Sequence, residues 1–496
     1  MTNRPDRVPL PRIVDNITCW PSQRPLLYKV LFCTIVALWL LSQARLGLTV
    51  SFTGDDVMNM YWSREAKISR LLFANLTPFT TEYRPLGALL YRTMYECFGL
   101  WSTPFRFLSY AILLGNLALC YSFARTLTGS REIASLTAIV AAFHSRMFDL
   151  YLNNGTIYDL LSGGLYLAVL AYYTNARRHD RTLSLRQWTW VIVMNVAALN
   201  SKETAATIPI AILSYELILR WRTSPRVVKK HVLGGIAVLT AITAAATVAR
   251  FRSGSRLINN DGYRLQVSLK QFLATTAKFL DSLFHLRDDA VTPVIAALIL
   301  LSIVLGAILV RSRTAAFLAV LIWLTPLPVN FIAARELYAA YISVFMWAIL
   351  FSLIIVRLRN WLYRVLWRRP VLAGGTLEPE RVFLAAGVMI FLAGVNLIDR
   401  PVPWSDGWCP GSKICVFQQQ IQSVNPPISG SDSILLLSDN FEEDAWTPIL
   451  LCRLLYRNLD MVVDRASFMP QQASSAQLTK YTTVLKYQSG HFVRIH

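Results

Sequence analysis

Apolar residues in this chain come in unbroken runs rather than in narrow stripes. Residues 29–50, "KVLFCTIVALWLLSQARLGLTV", set the pattern. A helix rises about 1.5 Å per residue, so about 20 such residues cross a hydrocarbon layer about 30 Å thick. Comparable runs recur at 104–124, 132–148, 156–175, 188–201, 204–219, 232–250, 291–310, 314–333, 337–356 and 382–398. Eleven crossings are therefore expected. The run at 188–201 is short and predicts little tilt or a locally thinned bilayer. The first run is too long for a cleaved leader and has no small-residue cleavage site before "GDD".

After residue 398 the pattern changes. Residues 401–432 turn polar, with Pro, Ser and Gln. "SILLLSDN", "EDAWTPILLCRLLYRN" and "DMVVDR" then read as strand, helix and strand, and "YTTVLKY" with "HFVRIH" as a hairpin. The expected fold is an all-α polytopic membrane domain of about eleven transmembrane helices plus a small α/β domain. Its parts are a cytoplasmic segment 1–28, a membrane domain 29–398 with outer loops 51–103 and 251–290, and an extracytoplasmic domain 399–496.

Composition agrees with this reading. The chain is 16% charged, against about a quarter in soluble domains. Net charge is +20, and its placement matters more than its size. Segments 1–29, 125–131, 176–187, 220–231, 311–313 and 357–381 hold 24 of the 49 Lys and Arg but only 5 of the 29 Asp and Glu. They are every second connection between the runs, which places them and the N-terminus in the cytoplasm. Basic residues divided among short turns do not make a nucleic-acid face; they contact anionic lipid. No P-loop and no tandem repeat is present. Of the seven cysteines, Cys409 and Cys415 in "CPGSKIC" lie close together outside the membrane, where oxidation can close a small disulfide loop. Zinc would need further ligands nearby, and a divalent metal is not expected.

Five polar clusters then fall on the outer side. Asp55 and Asp56 follow the first run, and carboxylates there suit a helix N-terminus or a general base. "EYRPLGALLYR" (82–92) carries Tyr83 and Arg84 before a proline that can open a helix, and a guanidinium suits phosphate. "AFHSRMFDLYLNNGTIYDLLSGG" (142–164) brings His144, Arg146, Asp149 and Asp159, of which Arg146 and Asp149 are spaced to pair along a helix. In "LNSKETAATIP" (199–209), Ser201 is a candidate helix cap, and Lys202 and Glu203 lie at the turn. "AARELYAAY" (333–341) adds Arg335 and Glu336. Transporters place their special polar groups near the bilayer midplane. Here all five gather at one interface, as an enzyme on a lipid-linked substrate requires.

The ordered set Asp55-Asp56, Tyr83-Arg84-Pro85-Leu86, Phe143-His144, Tyr158-Asp159-Leu160-Leu161, Ser201-Lys202-Glu203 and Arg335-Glu336-Leu337-Tyr338 resembles the GT-C membrane glycosyltransferases. The nearest branch is that of protein O-mannosyltransferases, including the TMTC proteins and dolichyl- or polyprenyl-phosphate-mannose–protein mannosyltransferases. The resemblance covers residues 30–356. It departs from the pattern at Ser145, where Pro is usual, and in the order Arg335-Glu336.

The resemblance implies transfer of mannose or another hexose from a polyprenyl-phosphate donor to an acceptor hydroxyl, with inversion. Asp55 is then the expected base, with Asp56 orienting the acceptor or capping the following helix. Arg84, Lys202 and Arg335 are expected to hold the donor phosphate, supported by Tyr83, His144, Asp159, Glu203 and Glu336. Membrane lipids and a protein, lipid or polysaccharide acceptor are the partners implied, with no nucleic acid. A bacterial inner membrane with a periplasmic tail domain is the expected location. A flippase of lipid-linked sugars is the alternative from another class.

Overall fold

The computed structural model describes residues 25–495 except 78, 80–81, 179–181, 222–224, 253–264, 333–334, 368–378, 400–412, 425–426, 443–444 and 470–477. The apolar runs carry helices, several of which stop short of their expected ends. In chain order these are α1 (Pro25–Ala44), α2 (Gly54–Glu65), α3 (Ile68–Leu76), α4 (Pro85–Phe98), α5 (Ser102–Thr128), α6 (Arg131–Ala142), α7 (Asp149–Leu152) and α8 (Ile157–Ala176). Then follow α9 (Leu185–Ser201), α10 (Ile208–Tyr215), α11 (Arg226–Arg252), α12 (Leu269–Leu283), α13 (Pro293–Leu309), α14 (Arg313–Leu324), α15 (Leu327–Asn330), α16 (Tyr341–Trp367) and α17 (Pro379–Ile398).

Among the described residues six helical segments are long and apolar enough to cross a membrane: Lys29–Thr49, Ser102–Thr128, Val227–Arg250, Arg313–Asn330, Leu337–Tyr363 and Arg381–Ile398. Pro293–Leu309 is a shorter apolar helix. The other expected crossings differ for physical reasons. α6 ends where Phe143 turns extended. The run at 204–219 is split into a 3₁₀ turn, α10 and a π-helical turn over Glu216–Arg220. α8 keeps its length, but its polar side chains are satisfied inside the bundle. Ser162 meets Thr204 at 3.1 Å, Tyr166 meets Thr207 at 3.1 Å, and Tyr173 donates to Glu216 at 2.8 Å. Small residues let the helices close up. A Cβ on Gly163 would lie 2.7 Å from the Tyr341 ring, so α8 and α16 need glycine there.

The tail adds α18 (Lys413–Gln422), β1 (Ile434–Ser438), α19 (Thr447–Leu455), β2 (Val463–Arg465), β3 (Thr483–Gln488) and β4 (His491–Arg494). The sheet order is β2-β1-β3-β4, with β1 parallel to both neighbours and β3 antiparallel to β4. Strand, helix, strand and hairpin thus stand where the pattern put them. α18 lies in the polar stretch 401–432, where Ile414, Phe417 and Ile421 recur at helical spacing and are buried. Cys409 lies outside the described residues, and with it the pairing with Cys415. The tail does not stand apart. Phe417, Leu451 and Leu485 share one core with Val57, Met60, Tyr91 and Tyr95 of α2 and α4.

Candidate active site

The acidic pair divides its labour. Thr53 caps α2, and the Asp56 carboxylate returns the cap by accepting the Thr53 N–H at 2.9 Å. Asp56 is fully buried; it also accepts the Tyr91 hydroxyl at 3.0 Å and faces the buried Arg106 guanidinium. Of its two expected roles, this geometry matches capping, because no Asp56 oxygen is left for an acceptor. Asp55 lies on the open side of the same turn. Protein crowded around it raises its pKa by desolvation.

Beside Asp55 comes the segment after α6. Gly155 abuts the Asp55 side chain, and Asn153 accepts the Gly155 N–H at 2.8 Å. Asp149 does not pair with Arg146, as its spacing suggested. It hydrogen-bonds Glu336, and burial, that bond and the Glu336 charge raise the Asp149 carboxyl pKa strongly. Arg146 instead forks onto Asp399 at 2.6 and 2.5 Å. Helix spacing failed here because α6 has already ended, so Arg146 and Asp149 sit on separate short turns. His144 goes with Arg146: its ring stacks on His285 at 4.2 Å, and His285 meets Asp399 at 2.6 Å. It forms a neighbouring cluster instead of joining the cations.

Those cations gather around Asp159 and Glu203. Arg84 occupies left-handed backbone, φ +46°, just before Pro85 opens α4. Such strain in a non-glycine residue persists where its surroundings fix it. Its guanidinium lies 4.6 Å from the Tyr83 ring and 5.3 Å from the Tyr158 ring, and binds Glu203 at 3.0 Å. Burial opposes ionisation of Glu203, but Arg84 and Arg250 outweigh it and hold its pKa at about 2. Lys202 is buried, its ammonium against Asp159 and 6.0 Å from the Tyr338 ring. Ser201 is no cap: it is the last residue of α9 and bonds back to Ala197, because Lys202 turns extended before the next helix begins. Arg335 borders the site through the field it exerts on Tyr338, while Glu336 faces Asp149.

Three site groups escaped the sequence reading. Arg250 ends an apolar run, lies 3.9 Å from Glu203 and donates to Asn200 at 3.4 Å. Arg106 interrupts the second run, a charge at membrane depth that should have drawn attention, and donates to the Ser51 carbonyl at 3.1 Å. Tyr91, inside a quoted motif, had no signal marking its hydroxyl. The result is a strip. Carboxylates Asp55, Asp149 and Glu336 stand at one end; Arg84, Lys202 and Arg250, with Asp159 and Glu203 between them, stand at the other. Among the described residues no three His, Cys, Asp or Glu side chains stand at metal-holding geometry.

Residues 82–247 match the family model of dolichyl-phosphate-mannose-protein mannosyltransferase. No curated protein sequence matches. Among solved structures, the chain is similar to ArnT from Cupriavidus metallidurans bound to undecaprenyl phosphate, with 14% identity and TM-score 0.52 over 94% of this chain and 97% of that one. It is also similar to the oligosaccharyltransferase AglB from Archaeoglobus fulgidus, in complex with an inhibitory peptide and a dolichol-phosphate. That likeness has 12% identity and TM-score 0.50 and covers 88% of this chain, which spans 64% of the length of AglB. At these identities the likeness is one of fold: a multi-pass membrane bundle with a small tail domain.

Proposed function

We propose that the chain is a membrane glycosyltransferase of the GT-C type and that it moves a hexose from a polyprenyl-phosphate carrier to an acceptor hydroxyl. One observation carries the reading: an open carboxylate, Asp55, and Arg84 of the cation cluster Arg84, Lys202 and Arg250 both neighbour the same buried residue, Tyr158. The family model matched by residues 82–247 favours mannose. The lipid phosphates held by ArnT and AglB favour the carrier class.

The chemistry divides along the strip. The acceptor oxygen attacks C1 of the sugar while its proton passes to Asp55. The C1–O bond to phosphate breaks, and the phosphate leaves with the electron pair. Phosphate leaves readily, so the site needs a base and charge stabilisation more than a strong acid. Attack opposite the leaving group inverts C1, the same stereochemical logic as in inverting hydrolases. Arg84, Lys202 and Arg250 outnumber Glu203 and Asp159, which leaves the cluster net positive for an anionic donor; Arg335 adds to that field. The acceptor is a protein, lipid or polysaccharide hydroxyl, and the site faces the periplasm of a bacterial inner membrane, with the N-terminus in the cytoplasm.

Purified protein with labelled polyprenyl-phosphate hexoses and a panel of acceptors tests the reading. A new glycosidic bond with inverted configuration, lost in Asp55→Asn, supports it. Movement of the donor across a bilayer by wild type and Asp55→Asn alike, with no product, would establish a flippase instead.

A further inference from the structure

α3 has the wrong surface for an ordinary outer loop. Ile68, Leu72, Phe73 and Leu76 are 45%, 49%, 69% and 81% exposed and share one arc of the helix, while Leu71 and Ala74 pack inward. A nine-residue helix with that much bare hydrocarbon belongs in contact with lipid. What singles it out is where its C-terminal end is fastened. Asn75 donates to the Pro85 carbonyl at 3.0 Å, immediately after Arg84. Asn200 donates to the carbonyls of Ala74, Asn75 and Thr77 at 3.2–3.3 Å. Asn200 in turn accepts from Arg250 and stands two positions before Lys202. Arg250 is therefore tied through Asn200 to the end of this helix, and Arg84 and Lys202 lie one and two positions in sequence from residues fastened to it.

We propose that the exposed face of α3 is the binding strip for the isoprenoid chain of the donor, an inference that rests on the donor reading above. A phosphate seated among Arg84, Lys202 and Arg250 must send its hydrocarbon toward the bilayer. The Ile68–Leu72–Phe73–Leu76 face begins beside that seat and is apolar along the whole helix. Bulk acyl chains would meet this face equally well by chemistry, but they have no reason to be fastened to the phosphate cluster. The asparagine tethers fix the direction in which the chain leaves. The strip thus reads carrier length, while the cations read only the headgroup.

The test uses the full-length protein in nanodiscs and two sugar-free probes: undecaprenyl phosphate and the short-chain citronellyl phosphate. Wild type should bind the long probe more tightly. Ile68→Asn combined with Leu72→Asn, at the end of the face far from the seat, should weaken the long probe at least about tenfold, about 1.4 kcal/mol, and leave the short one unchanged. Phe391→Asn, bare at 69% exposure but on α17, should change neither. Equal loss of both probes, no loss of either, or the same loss in Phe391→Asn overturns the strip while leaving the donor site standing. If wild type binds neither probe, the donor reading itself falls.

Discussion

α8 carries an ion pair near each end, and the two pairs are built differently. At the C-terminal end, the inner one in the proposed orientation, Arg177 forks onto Glu216 at 2.7 and 2.8 Å, and Tyr173 adds a third bond at 2.8 Å. Arg177 is wholly buried, and one cation meets one anion. At the other end Asp159 holds Lys202, but Arg84 and Arg250 crowd in as well, and Glu203 remains half exposed. Between them run the Ser162–Thr204 and Tyr166–Thr207 contacts. The inner pair is closed, with its charge balanced and its bonds complete. The outer one carries surplus positive charge and an open side. A closed pair can only hold helices together, whereas an unbalanced one can take a ligand.

The comparison is broken most forcefully at the outer end. Asp55→Asn keeps the shape of the side chain and cannot take a proton. Turnover should fall by about 10²–10⁴-fold, with thermal stability and donor binding unchanged. Retained turnover would remove Asp55 from the chemistry and leave the acidic pair as a helix cap alone.

At the inner end the loss should appear in stability instead. Glu216→Gln leaves Arg177 buried without its counter-charge, which costs about 3–5 kcal/mol by the usual behaviour of broken buried pairs. Thermal unfolding in nanodiscs should show a clear drop in midpoint. Glu203→Gln, half open to water, should lower the midpoint less. Equal drops would mean that the two pairs are not different in kind.

Donor affinity should respond only to the outer end. Losing a charge-assisted contact to phosphate costs about 1.5–3 kcal/mol, or roughly ten- to a hundred-fold in Kd. Arg84→Ala, Lys202→Ala and Arg250→Gln should each show it, and Glu216→Gln should not. Unchanged affinity in a folded Arg250→Gln would return that residue to a purely structural role with Asn200.

These contrasts also explain what the sequence could disclose. The apolar runs were legible because bilayer thickness forces their length. Strands and helix in the tail were legible because turn residues bracket them. Asp55, Lys202 and Glu203 stood out because a charge directly beside a long apolar run demands a reason, and Arg84 because it precedes a proline that can open a helix. Arg250 and Arg106 carried the same signal but lay inside the runs' margins, where a single charge reads as an end effect. The partners of these groups were not legible at all. Arg146 chose Asp399 across 253 positions over Asp149 at three, because tertiary packing and an early helix end decide such pairings. The surplus of positive charge at the site likewise depends on α11 bringing Arg250 to Glu203, and no local pattern announces that contact.

The smallest effect expected is a separation of two pH dependences. A base works deprotonated, so turnover falls as pH drops through its pKa. Burial raises the Asp55 pKa above the ordinary 3.8 of an aspartate, which moves the acid limb of turnover upward. Glu203 behaves in the opposite sense. Its folded pKa of about 2 lies below the ordinary 4.5 of a glutamate, so the stability it gives is complete above 4.5 and is lost as pH falls toward 2. Across the range where Asp55 takes up its proton, Glu203 therefore stays ionised and continues to hold Arg84 and Arg250 in place. The sugar-bearing donor is a phosphate diester and keeps its charge through the same range. Turnover at saturating donor should accordingly fall on the acid side while the donor Kd stays level. The two profiles are measured on one preparation, by product formation and by equilibrium binding. If Kd weakens in step with turnover, the cation cluster is titrating rather than the base, and the division of the strip into a proton-accepting end and a phosphate-holding end fails.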